Sequence, residues 1–221
     1  MGWTEFIIAY GVFFLSHSVP VRPPVKPWLQ ARLGATGFVT LYSLMSLAVL
    51  VWLIGAAERA PFVPLWTWAP WQNHVVLTLM LPVCVILALA LARPNPFSFG
   101  GARNHQFDPT QPGIIRISRH PLLLALAIWA AAHLAPNGDL AHVILFSTFA
   151  LFAAFGGRII DRRKRREMGQ EWERMHDAVK ATRGVTVSPG MATGLRLVAG
   201  LLLYVALIWL HPYLFGVSPL S

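Results

Sequence analysis

The side chains in this chain best suited to chemistry are its histidines. There are eight, and two stand in company that an apolar segment does not need. His17 lies between Ser16 and Ser18 in "GVFFLSHS", and His120 lies between Arg119 and Pro121 in "RISRHPLLL". An ionisable group inside an apolar run is a functional hypothesis by default. Pro121 suits the first turn of a helix, so His120 falls at or next to the N-cap. The helix dipole disfavours a protonated imidazole there, and neutral imidazole is the form that binds iron or zinc. Arg22 near His17, and Arg116 and Arg119 near His120, offer cations to an anionic ligand group. His133 is thirteen residues beyond His120, roughly 20 Å along a helix and on another face. It cannot share a metal ion with His120. His74, His142 and His211 read as hydrogen-bonded groups near an interface, and His105 and His176 as solvent-exposed.

What His17 and His120 can hold is narrowed by what surrounds them. There is no Cys-x-x-Cys-His for covalent haem and no His-Glu-x-x-His. Carboxylates are scarce in the apolar runs, which argues against a di-iron carboxylate site. The single cysteine, Cys84, reads as a small buried apolar residue. A b-type haem needs only axial histidines, an apolar slot and basic groups for its propionates. His17 and His120 as iron ligands, with Arg22, Arg116 and Arg119 as the cations, make it permissible. A substrate would then be lipophilic or a small gas.

The elements that must position these residues are membrane spans. Of 221 residues, 56% are hydrophobic and only 12% charged, against roughly a quarter charged in an ordinary soluble domain. Six apolar runs stand out: about residues 3–19, 37–57, 74–92, 121–135, 140–157 and 193–215. A span takes about 20 residues, so the first and fourth are short. Glu5 sits where a signal peptide would be basic, so residues 3–19 read as a retained span. The net charge is +9. Alternating the loops places every Lys and Arg but Arg59 on one side, which the positive-inside rule makes cytoplasmic. The expected fold is all-α: a polytopic helical bundle of six spans, one domain over residues 1–221, both termini outside. A bacterial inner membrane is the expected site. The basic segment 158–187 reads as a continuing cytoplasmic helix that meets anionic lipid. It lacks the aromatic interleaving of a strand-binding surface, so nucleic acid is not expected.

Taken in order, "GVFFLSHS", a basic proline-rich stretch, "LGATGFVTLYSLMSL", "NPFSFGG" and "RISRHPLLLALAIWAAAHLAPNGDLAHVILF" resemble the NnrU family across nearly the whole chain. The resemblance implies a membrane protein associated with nitrite and nitric oxide reduction, with a redox or denitrification enzyme as partner. The family includes the plant zeta-carotene isomerase, which isomerises a polyene with a histidine-held b-type haem. The resemblance further implies that His17, His120 and His133 match family histidine positions. A second likeness competes. "RHPLLL" followed by "REMGQEWERMHDAV" is similar to isoprenylcysteine carboxyl methyltransferases, which use S-adenosylmethionine. There Arg119 and His120 would contact the cofactor, helped by Glu167 or Glu171. Leu123 departs from the tyrosine of that motif. A third reading is a non-enzymatic accessory factor whose histidines pack helices.

Overall fold

A computed structural model describes residues 2–99, 101–182 and 191–220. It contains seven α-helices: α1 (Gly2–Ser18), α2 (Val25–Glu58), α3 (Pro70–Ala90), α4 (Pro121–Leu134), α5 (Leu140–Met168), α6 (Gln170–Ala181) and α7 (Met191–Phe215). Two short 3-10 turns, Asn104–Gln106 and Gly113–Arg116, lie between α3 and α4. The described residues contain no β-sheet, only an isolated bridge between Pro64 and Asp139.

Each of the six apolar runs falls on a helix. By length and composition α2, α3, α5 and α7 can cross a membrane, and α4 is a shorter apolar helix. Their surfaces fit that role. Leu44, Leu202 and Trp209 are 61%, 64% and 66% exposed, and many neighbouring aliphatic side chains are exposed with them. So much outward apolar area would be costly in water and is neutral against acyl chains. The chain is a helical membrane protein.

The residues group into two compact units: Met1–Trp66 with Asp139–Leu145, and Thr67–Gly138 with Phe146–Ser221. In the first, α1 packs along α2 and buries Phe6, Ala9, Phe38, Leu53 and Ala56. Arg59 Nη2 and Trp52 Nε1 donate to the Glu5 carboxylate at 2.6 and 3.2 Å, which fastens the two helices at one end. The Asp139 carboxylate accepts the His142 backbone N–H at 3.2 Å and caps the start of α5.

In the second unit α3 packs against α4 and α7. Arg196 of α7 donates from Nη1 to the Ala88 and Leu91 carbonyls at 2.8 and 2.7 Å, so an arginine within an apolar helix closes the C-terminus of α3. Tyr204 Oη donates to the Leu77 carbonyl at 3.0 Å. A core of Ala90, Phe97, Ile114, Ile115, Trp172 and Val179 fastens α6 to the polar loop that precedes α4.

Two elements differ from the sequence reading. The helix continuing from residue 158 stops at Met168, because Gly169 takes a φ of 58°, a region side chains disfavour and glycine does not. Beyond it α6 is a separate amphipathic helix, and 183–187 lie outside the described residues. At the other end α2 starts at Val25, inside the proline-rich stretch, and kinks at Gly34. A short helix therefore precedes the span.

Candidate functional site

Four parts of the second unit bring polar side chains together at the start of α4. "RISRHP" cannot run on as helix, because the residue before proline is pushed out of the helical region. His120 accordingly has φ −119° and ψ 64° and serves as the N-cap of α4. The loop before it is pinned by Asn95, whose Nδ2 donates to the Arg119 carbonyl at 3.0 Å while its Oδ1 accepts the Phe97 N–H at 3.1 Å. This places Ser98, 6% exposed, against the His120 ring. From α5, Asp161 faces Arg119 and His120 together. From α6, His176 closes the group.

The distances define a continuous network. Arg119 Nη2 donates to Asp161 Oδ2 at 2.7 Å. Asp161 Oδ1 lies 3.1 Å from His120 Nε2, and Ser98 Oγ lies 3.0 Å from His120 Nδ1. Arg119 Nη1 reaches His176 Nε2 at 3.0 Å. The His176 ring stacks on Trp172 at 4.6 Å, and the Arg165 guanidinium covers the same indole at 4.2 Å, a cation–π contact. An ionised carboxylate only accepts, so Asp161 fixes a proton on His120 Nε2. In the neutral ring Nδ1 is then the acceptor for the Ser98 hydroxyl. Burial pushes His120 below the ordinary histidine value, against the opposing pull of Asp161. Burial, then the Arg119 cation, lowers His176 likewise. Gly157 of α5 makes room for the ring: a Cβ there would lie 2.8 Å from His120 Cδ2.

His17 and Arg22 belong to the first unit. His17 Nδ1 lies 2.8 Å from the Phe13 carbonyl, so Nδ1 carries the proton and the neutral ring offers Nε2 as a lone pair. Its ring lies 4.1 Å from Phe13, and Tyr42 Oη donates to the His17 carbonyl at 3.3 Å. Arg22 is exposed. Arg116 is near the site's edge, its Nε donating to the Thr182 carbonyl at 3.0 Å. His133, toward the far end of α4, repeats the posture of His17: Nδ1 is 2.8 Å from the Trp129 carbonyl, and the ring packs on Trp129 and Phe146. Glu167 pairs with Arg163 and Lys164, and Glu171 with Arg174.

An iron ligand needs an imidazole nitrogen whose lone pair is free, commonly with the other nitrogen donating to a carbonyl. His17 and His133 meet that test. His120 meets it only if Asp161 releases Nε2, because both its ring nitrogens face protein partners. Among the described residues no group of three or more His, Cys, Asp or Glu side chains gathers around a metal position.

Sequence reasoning placed Arg119 and His120 here but missed Ser98, Asp161 and His176. His176, expected in solvent, is 7% exposed because the amphipathic turn of α6 carries it inward with Trp172 and Val179. Asp161 had a signal: it is the one acid in "GGRIIDRRKRR", immediately after an apolar run. Ser98 had none.

The fold and this cluster define a class: a helical membrane protein with a polar histidine centre where a short apolar helix begins. Within that class the chain belongs to the NnrU family, whose model, described as NnrU protein, matches residues 5–219. No curated protein and no solved structure matches it.

Proposed function

We propose that this chain is an NnrU-family protein of the bacterial cytoplasmic membrane that binds b-type haem through His17. It would serve nitrite or nitric oxide reduction, or redox-type isomerisation of a lipophilic substrate. One observation carries the reading: inside an apolar helix, His17 commits Nδ1 to the Phe13 carbonyl at 2.8 Å and offers Nε2, the orientation of a metal-bound histidine. Arg22, exposed and close to His17 in the chain, would be a cation for a propionate. Held there by His17, haem would supply redox chemistry toward a small gas or an electron-rich double bond. His120 has another task, since Asp161 and Ser98 occupy its ring.

In this reading the chain has six spans, with α1 and α4 joining the four long helices and both termini outside. The basic end of α5, including Arg162, Arg163 and Lys164, lies at the cytoplasmic surface, where each cation near anionic lipid contributes about 1 kcal/mol. A redox or denitrification enzyme is the expected partner.

The test is the oxidised and dithionite-reduced absorption spectrum of the detergent-purified protein, expressed with ample haem supply. A Soret band lost in His17→Ala and retained in His120→Ala is expected. A colourless wild-type protein, or a band indifferent to His17→Ala, overturns the reading. A band lost only in His120→Ala assigns the iron to His120 instead.

A further inference from the structure

We propose that Arg93, Arg103 and Arg196 form a site, at the C-terminal end of α3, for one phospholipid whose headgroup joins an anionic phosphate to a short polyol. It uses no residue assigned to haem and is independent of which side of the membrane it faces, so either reading can fail without the other.

Three separate parts of the chain bring a guanidinium to that end. Arg196 of α7 donates from Nη1 to the Ala88 and Leu91 carbonyls at 2.8 and 2.7 Å. Arg93 stands just beyond Leu91. The Ala102 N–H donates to the Arg93 carbonyl at 3.1 Å, which folds the loop back and sets Arg103 beside the same point. Arg93 and Arg103 are close enough to Arg196 to repel it. Ala92 and Arg103 take φ of 56° and 54°, a region that disfavours residues with a side chain. The convergence is therefore held against both backbone preference and charge repulsion.

Such a group needs a counter-charge. Elsewhere Arg59 pairs with Glu5, Arg119 with Asp161, Arg163 with Glu167 and Arg174 with Glu171. Among the described residues Arg93, Arg103 and Arg196 have no carboxylate partner. The C-terminus of α3 offers about half a negative charge against three positive ones. A phosphate fits the remainder, because its oxygens accept the paired N–H donors of guanidinium groups.

The surroundings select a lipid as its source. Both α3, which ends here, and α7, which begins here, are long and apolar enough to cross a membrane, so the arginines lie at the level of the headgroups. Leu91, Leu195 and Val198 beside them are 48%, 63% and 52% exposed, a surface for acyl chains. Arg93 also lines a cavity of about 170 Å³ with Asn95, Gln106, Asp108 and Gln111. Asp108 would repel a phosphate inside that cavity but accepts from a hydroxyl. Phosphate therefore belongs with the arginines and hydroxyl groups with the cavity, which a polyol headgroup supplies together. With Asp108 counted the site is still net positive, so an ethanolamine headgroup, which carries its own ammonium, gains less.

The experiment is native mass spectrometry of the full-length protein in detergent, titrated with phosphatidylglycerol and with phosphatidylethanolamine of the same acyl chains. The first phosphatidylglycerol should bind about fivefold tighter than the first phosphatidylethanolamine, the scale of one cation at an anionic surface. Arg93→Gln and Arg103→Gln should each weaken it about fivefold. Arg162→Gln, which removes an exposed cation of α5 outside the group, should leave it unchanged. Equal binding of the two lipids overturns the proposal with wild-type protein alone. Undiminished binding in Arg93→Gln and Arg103→Gln overturns it, and so does an equal loss in Arg162→Gln, which would mark diffuse surface charge. Inorganic phosphate should not displace the lipid; displacement would make this a site for the free anion and overturn its assignment to lipid.

Discussion

Replacing Gly157 by alanine sets two effects of opposite sign against each other. Gly157 lies within α5, where Gly→Ala ordinarily stabilises a helix by about 1 kcal/mol. Here the added Cβ would come within 2.8 Å of His120 Cδ2 and 3.4 Å of Nε2. A ring carbon cannot yield as the tip of a flexible chain can. The His120 side chain is only 11% exposed and is held between Ser98 and Asp161. Restoring van der Waals contact takes a shift of more than half an ångström, and overpacking of this kind costs about 1–3 kcal/mol. Losing one of the ring's two hydrogen bonds adds about 1 kcal/mol. The net expectation is a loss of about 1–3 kcal/mol, which lowers the midpoint of unfolding by about 2–12 °C for a chain of this size. Cys84 gives the assay directly: it is the chain's one cysteine and is fully buried, so a thiol-reactive dye reports its exposure on heating. Gly194→Ala in α7 is the control, since nothing lies within 4 Å of its added Cβ, and it should leave the midpoint unchanged or raise it. A Gly157→Ala midpoint at or above wild type would refute the close packing of α5 on His120.

Two further outcomes follow from the same unit. Burial lowers His120 and His176 below the ordinary histidine pKa, so the unfolded chain binds more protons than the folded one as pH falls below about 6.5. Their contribution to stability is complete above that pH and is lost as pH falls through the folded values. Tryptophan fluorescence melts should show a lower midpoint at pH 5.5 than at pH 7.5, and a higher one would contradict the burial of both rings. Arg196→Leu removes the donor to the Ala88 and Leu91 carbonyls. Discounted for partial exposure, that should cost about 1–2 kcal/mol and bring Cys84 exposure to a lower temperature. A midpoint at or above wild type would show that the α3 terminus needs no closure from α7.

The four long apolar helices were legible because a membrane helix declares itself through composition over some twenty residues, and no tertiary detail alters that. Their ends were less legible. Gly169 breaks the basic helix through a backbone angle that a sequence rich in strong helix formers conceals. Val25 opens a helix inside a proline-rich stretch because proline is tolerated in a first turn. Long-range partners were the least visible. Asp161 lies forty-one positions from His120 and Ser98 twenty-two, and no local periodicity records which loop residue will face which ring.

This separates two meanings of a histidine in an apolar setting. Sequence reading grouped His17 with His120, because each stands among polar neighbours at the edge of an apolar run. The hydrogen bonds divide them. His17 and His133 satisfy Nδ1 on the carbonyl four residues earlier, a contact any mid-helix histidine can make, and each leaves Nε2 to whatever approaches. At a helix start the carbonyl four residues back is outside the helix, so His120 must satisfy both nitrogens across the fold, and Ser98 and Asp161 supply the partners. Position within the helix thus sorts these rings into an offered ligand and a held ring. His17→Ala should therefore act on a spectrum, and His120→Gln on the stability of the contact between α4 and α5.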